Sequence, residues 1–148
     1  MLFDLRSVSG ILLVIAAVGC GPSHPPVLPI TGLVTLDDQP LEQGSLIFEA
    51  PGQRPATGKI KAGAIVEMTT FDHNDGVPLG EHKVAIFVVK EDYAYVTPEN
   101  PGVSSGSSNM QVTSLIPQRY NDPTTSGFTA SVTSEGENHF EFALNSKK

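Results

Sequence analysis

Residues 81–90, EHKVAIFVVK, contain the strongest strand pattern in this 148-residue chain. Apolar side chains alternate across both of its faces, with Val84, Ile86 and Val88 on one and Ala85, Phe87 and Val89 on the other. A strand that is apolar on both faces is typical of a sheet covered on both sides. The stretch therefore predicts a β-protein built around one buried strand.

Shorter strand patterns flank this segment on both sides and are separated by turn residues. They span residues 30–36, 45–50, 57–61, 64–70, 128–132 and 140–144. We expect a hairpin around Ala62 and Gly63, and a second one through residues 134–138 that joins the last two strands. No helical period extends over three turns after the N-terminal segment. We therefore predict an all-β fold, a single antiparallel β-sandwich of about seven strands over residues 30–145.

Residues 91–114 lose the strand alternation and include PENPGVSSGSSN, which is rich in Pro, Gly, Ser and Asn. This composition predicts a long flexible loop. Tyr93 and Tyr95 lie where the chain leaves the strongest strand. Exposed tyrosines are common in binding interfaces, so both are candidate contact residues. The alternative is that they pack at the edge of a sheet.

The first 19 residues have the layout of an export signal, which we expect to be helical. Arg6 supplies a positive charge, and residues 11–18 form an apolar run that is too short to span a membrane. Ala17-Val18-Gly19-Cys20 resembles a bacterial lipobox, in which the cysteine is lipidated and becomes the new N-terminus. Cys20 is the only cysteine in the chain. The alternative is a secretory signal with an incidental cysteine.

Residues 20–29 contain four prolines and predict an extended, semi-rigid tether. At about 3 Å per residue, this tether would lift the domain roughly 25–30 Å above the membrane. Because Gly21 is not the aspartate of an inner-membrane retention signal, an outer membrane is the favoured location where the cell has one. We expect the domain to lie in the cell envelope, facing outside the cytoplasm.

The stretch ITGLVTLDDQPLEQGSLIFEAPG, residues 30–52, resembles the opening of transthyretin-like or carboxypeptidase-regulatory-like domains. NDGVPLGEHKVAIFVV and LIPQRY resemble later segments of small bacterial lipoproteins with this domain. The resemblance implies a prealbumin-like sandwich and carries over no catalytic residue. Two departures are Asp38 and His82, where the family commonly has glycine and tyrosine.

The distribution of charged residues narrows the classes of function. With 9 basic and 16 acidic residues the formal net charge is -7, which argues against nucleic-acid binding. The four histidines lie far apart, and residues 72–76, DHNDG, read as a turn rather than a calcium loop. Residues 102–106, GVSSG, match the bare G-x-S-x-G pattern, but they lie in the Gly- and Ser-rich stretch that is predicted to be a flexible loop and is unsuited to holding catalytic geometry. We therefore expect no catalytic, cofactor-binding or metal-binding residue.

These observations predict a membrane-anchored extracytoplasmic lipoprotein whose sandwich is a non-catalytic structural or interaction module. Its expected partners are the membrane, through lipid on Cys20, and an envelope protein or glycan. One alternative is a carbohydrate- or peptide-binding module at the cell surface. A remote alternative is a small hydrolase.

Overall fold

The structure is a computed structural model that describes residues 24–93 and 110–147, without side chains at 91–93 and 110–112. The strands are β1 (Val27–Leu28), β2 (Thr31–Leu36), β3 (Gln39–Pro40), β4 (Gln43–Glu49), β5 (Ala56–Lys61), β6 (Ala64–Thr69), β7 (Val77–Pro78), β8 (Gly80–Phe87), β9 (Val89–Tyr93), β10 (Met110–Ser114), β11 (Phe128–Val132) and β12 (His139–Leu144). A 3-10 helix spans Gln118–Asn121. Within the described ranges, no helix is long and apolar enough to cross a membrane.

The main sheet confirms the predicted all-β, sandwich-like fold. Its strand order is β11-β8-β4-β5-β6-β2-β12, with β3 paired to β2. Two further ladders, β1-β7 and β9-β10, raise the strand number above the predicted seven. All neighbouring strands are antiparallel except β12 and β2, which are parallel.

The predicted hairpin between the last two strands is wrong. β11 pairs with β8 at one edge of the sheet, whereas β12 pairs with β2 at the other. The sheet curls so that these edges approach each other, and the rings of Phe128 and Phe142 lie 5.3 Å apart. Residues 133–138 therefore cross one end of the sandwich, because both phenylalanines gain more burial across the core than side by side.

The core lies between the two halves of the curled sheet. Phe48 on β4 is fully buried, and its ring lies 6.0 Å from Phe140 and 6.1 Å from Phe142 on β12. On β8, residues 84–86 are fully buried, as a strand apolar on both faces predicts. Val89 is 40% exposed, because the chain leaves the main sheet at Val88.

The N-terminal boundary differs from the prediction. Val27 and Leu28, placed by the sequence in a free tether, pair with Pro78 and Val77 of β7. The same pairing forms a short strand directly after the turn predicted at residues 72–76. Leu28 packs against the core, and Val77 and Pro78 are fully buried. The apolar side chains at 27 and 28 explain this docking, since proline content alone favours an extended chain but does not require a solvated one.

The predicted 91–114 loop is also shorter than expected. Residues 89–93 pair antiparallel with residues 110–114, in a register that places Val89 opposite Ser114 and Tyr93 opposite Met110. Backbone pairing does not require apolar side chains, so composition alone did not indicate these strands. Residues 94–109 lie outside the described part of the chain.

The sandwich has two distinct ends. The tether end consists of residues 24–30, 70–80 and 133–139, and the groove end consists of residues 36–43, 61–64, 87–90 and 114–117. β2 begins at the tether end and ends at the groove end, and β8 follows the same direction. The chain therefore enters the domain at the end opposite to the groove described below.

Candidate interaction site

An apolar groove of about 360 Å³ opens at the groove end. Its apolar lining comes from Leu36, Pro40, Leu41, Val88, Leu115 and Ile116. Leu115 is 54% exposed, whereas Leu41, Val88 and Ile116 are buried. The groove therefore has a buried floor and an exposed apolar wall, and its volume lies within the range of small ligand and peptide-side-chain pockets.

One wall is the β2-β3 hairpin. Its two turn residues, Asp37 and Asp38, both have left-handed backbones, with φ of 49° and 65°. Two consecutive left-handed residues are typical of the type I′ turn that suits the twist of paired strands, and aspartate tolerates this conformation better than most residues. The Leu41 amide then donates to the Val34 carbonyl at 3.0 Å, which directs Leu41 into the core.

The opposite wall forms where the chain returns from β10. The Leu115 amide donates to the Val88 carbonyl at 2.8 Å, and the Ser114 hydroxyl donates to the Ile116 carbonyl at 2.9 Å. Ile116 is 5% exposed and anchors this segment on the sandwich. Because Ile116 faces the core, its neighbour Leu115 is left facing solvent.

The C-terminal segment packs against the groove end of the sandwich. Tyr120 is buried, and its hydroxyl accepts a hydrogen bond from the Asn145 amide at 3.0 Å. Arg119 lies 4.5 Å above the Tyr120 ring and donates to the carbonyls of Asn145 and Lys147. These contacts hold residues 145–147 beside the groove end.

The same tail is joined to the β2-β3 turn. The Ser146 amide donates to the Asp37 carboxylate at 3.0 Å. Hydrogen bonds from the side chain and backbone of Ser146 lower the pKa of Asp37. The turn that forms one groove wall is therefore held by its own β2-β3 hairpin and by the C-terminal tail.

Two of the three sequence-predicted site residues, Cys20 and Tyr95, lie outside the described residues. The third, Tyr93, is the last residue of β9, and its side chain is not described. It lies four residues along β9 from Val89, a distance of about 13 Å. Val89 directly follows Val88, which lines the groove. Sequence reasoning missed Leu115 and Pro40. The sequence did contain one signal. Leu115 and Ile116 are adjacent apolar residues, and only one of two adjacent side chains in an extended segment can face the core.

A charged cluster lies on the outer face of β5 and β6. The ammonium groups of Lys59 and Lys61 each lie 2.5 Å from a Glu67 carboxylate oxygen. Hydrogen bonds from Lys59 and Lys61 lower the pKa of Glu67 to about 2. Glu67 sits at a β-bulge with φ of 55°, which turns its carboxylate toward both lysines. Because Glu67 offsets one of the two positive charges, the cluster carries a net charge of only +1 and is not a strongly basic patch.

The acidic loop at residues 72–76 has the structure of a turn. The Asp75 carboxylate accepts hydrogen bonds from the backbone amides of Thr70, Phe71 and Asp72 at 2.7–2.9 Å. Burial opposes ionisation of Asp75, but the backbone hydrogen bonds outweigh it and the pKa is lowered. Across the described part of the chain, no three His, Cys, Asp or Glu side chains are arranged to hold a metal ion.

His82, which stands where the resemblance leads one to expect tyrosine, is 1% exposed. Its Nε2 donates to the Pro78 carbonyl at 2.8 Å, and its ring lies 6.0 Å from that of Phe48. Its Nδ1 has no hydrogen-bond partner among the described residues. The contact with Pro78 joins β8 to β7, so the role of His82 visible here is structural.

No family model, curated protein or solved structure matches the chain. The functional interpretation therefore depends on the groove, the two ends of the sandwich and the N-terminal sequence.

Proposed function

We propose that the protein is a lipid-anchored component of a bacterial cell envelope, attached through Cys20. Its β-sandwich lies outside the cytoplasm as a non-catalytic interaction module, with an outer membrane as the favoured site. The observation that carries this proposal is the position of Cys20. The sole cysteine follows an apolar run with lipobox spacing and precedes His24, the first described residue, by four positions.

The apolar groove is the surface through which the module would bind its partner. Glu42 lines the groove and is exposed, and Asp37 and Asp38 are exposed in the turn of the β2-β3 hairpin that forms one wall. An acidic rim around an apolar floor suits an extended protein segment that has aliphatic side chains flanked by basic ones. We therefore propose an envelope protein with such a segment as the partner.

A peptide- or carbohydrate-binding module is the second candidate function. The lining of the groove favours peptide over carbohydrate, because its apolar walls are aliphatic and offer no aromatic ring among the described residues. Tyr93, the last residue of β9, and Tyr95, outside the described residues, remain candidate contact residues.

Metabolic labelling with an azido-palmitate analogue in a bacterial host tests the anchor. The native chain should incorporate the label and fractionate with membranes, and Cys20→Ser should lose both properties. A native chain that takes up no label, or a Cys20→Ser variant labelled as strongly as the native chain, would overturn the proposal.

A further inference from the structure

The connection between Cys20 and the folded domain is very short. Only Gly21, Pro22 and Ser23 separate Cys20 from His24. A chain advances at most about 3.6 Å per residue, so the Cα atoms of Cys20 and His24 lie within about 14 Å of each other. This reach is about half of the 25–30 Å that a free tether over residues 20–29 would give.

His24 itself is held by the domain. Its ring stacks on Phe71 with centroids 4.3 Å apart, and the following residues Val27 and Leu28 pair with β7. Ile30 is then 8% exposed in the core. The part of the chain that leads to Cys20 therefore joins the domain at the tether end of the sandwich.

The groove lies at the far end of the same strands. β8 contains eight residues and runs from the tether end to the groove end. At about 3.3 Å per residue, the two ends are roughly 25 Å apart. The reach from Cys20 to His24 is shorter than this separation.

We propose that the protein is held upright on the membrane, with the tether end facing the lipid headgroups and the groove directed away. This orientation rests on the proposed lipidation of Cys20. It assigns the loops of residues 70–76 and 133–138 to the membrane-facing surface. It also places the groove where a protein from the facing compartment can reach it.

Surface charge does not set this orientation. Asp72, Glu81, Glu135 and Glu137 are exposed at or beside the tether end, so anionic headgroups repel this end rather than adsorb it. The cluster of Lys59, Lys61 and Glu67 on the outer face of β5 and β6 carries a net charge of only +1, which attracts that face weakly to anionic headgroups. The short reach, rather than surface adhesion, then sets the orientation.

Energy transfer from single tryptophans to dansyl-labelled lipid tests the orientation, because the natural chain has no tryptophan. Ser134→Trp reports on the tether end and Ala64→Trp on the groove end, and both positions are exposed. Lipidated full-length variants, purified from bacterial membranes, are reconstituted in phosphatidylcholine-phosphatidylglycerol vesicles that contain dansyl-phosphatidylethanolamine. We expect several-fold stronger transfer from Ser134→Trp than from Ala64→Trp.

A linker insertion provides the control. About ten Gly and Ser residues between Ser23 and His24 add roughly 17 Å of flexible chain, which should reduce the difference between the two reporters while keeping both on the vesicles. Equal transfer in the vesicle-bound, uninserted proteins would overturn the orientation alone. If the native chain fails to sediment with the vesicles, the lipidation is wrong and the orientation falls with it.

Discussion

The imidazole of His24 stacks on the ring of Phe71, with their planes 15° apart. Arg54 lies on the same ring, with its guanidinium carbon 5.8 Å from the centroid. This contact joins a proline-rich segment to the loop that follows β6. It makes residues 24–28 part of the folded domain and brings the expected lipid attachment point close to one end of the sandwich.

His24→Ala should loosen the N-terminal segment. Stacked aromatic pairs contribute about 0.5–1.5 kcal/mol, so local opening of residues 27 and 28 should become about twofold to tenfold more frequent. Hydrogen exchange of the 24–30 segment measures this change. His73→Ala, a variant of an exposed histidine in the neighbouring loop, should leave the exchange unchanged. Equal exchange in native protein and His24→Ala would show that the stacking does not hold the segment.

Asp38→Gly should be tolerated and slightly stabilising. Asp38 has a φ of 65°, which glycine adopts without strain, and Asp-Gly is a preferred pair for a type I′ turn. We expect a gain of a few tenths to about 1 kcal/mol in unfolding free energy. Asp38→Val should lower stability, because a β-branched residue is strained at this φ. Urea denaturation measures both variants, and a destabilised Asp38→Gly would contradict the turn geometry.

Glu67→Gln should lower stability at neutral pH and have no effect in strong acid. The folded pKa of about 2 lies below the ordinary value of 4.5, so ionised Glu67 stabilises the fold above pH 4.5. This contribution is lost as pH falls from 4.5 toward 2. Thermal unfolding of native protein and Glu67→Gln should therefore converge near pH 2, whereas Glu81→Gln should follow the native curve. Curves that stay parallel down to pH 2 would rule out the lysine pairing as the cause.

Leu115→Ser should weaken binding at the groove without unfolding the domain. Leu115 is 54% exposed and lines the groove, whereas Leu33 is 39% exposed and lies outside its lining. We expect an extended peptide of alternating leucine and lysine to shift the NMR signals of Leu41, Val88 and Ile116. Leu115→Ser should reduce the affinity for this peptide about tenfold, because about 1.5 kcal/mol of apolar burial is lost. Leu33→Ser should leave the affinity unchanged. A peptide that shifts none of these signals would contradict the groove assignment.

Strand periodicity predicted the central part of the fold well. β5 and β6 pair around Ala62 and Gly63 as expected, because turn chemistry between adjacent strands is local information. The pairing of β11 and β12 with distant strands could not be predicted in this way. Their positions depend on Phe128 and Phe142 packing across the core, which is a long-range contact.

The candidate site was less accessible to sequence reasoning. A groove forms only when separate segments meet, and Pro40 and Leu115 are 75 positions apart. No local pattern indicates that these side chains line one groove. The docking of Val27 and Leu28 was missed for a similar reason, since their partners Val77 and Pro78 lie in a segment that reads as a loop.

Mass spectrometry of the N-terminal peptide, from protein purified from bacterial membranes, shows whether Cys20 carries the lipid anchor. The mature chain should begin at Cys20 and carry two or three acyl chains. A chain that begins at another residue, or an unmodified Cys20, would contradict the proposed anchor.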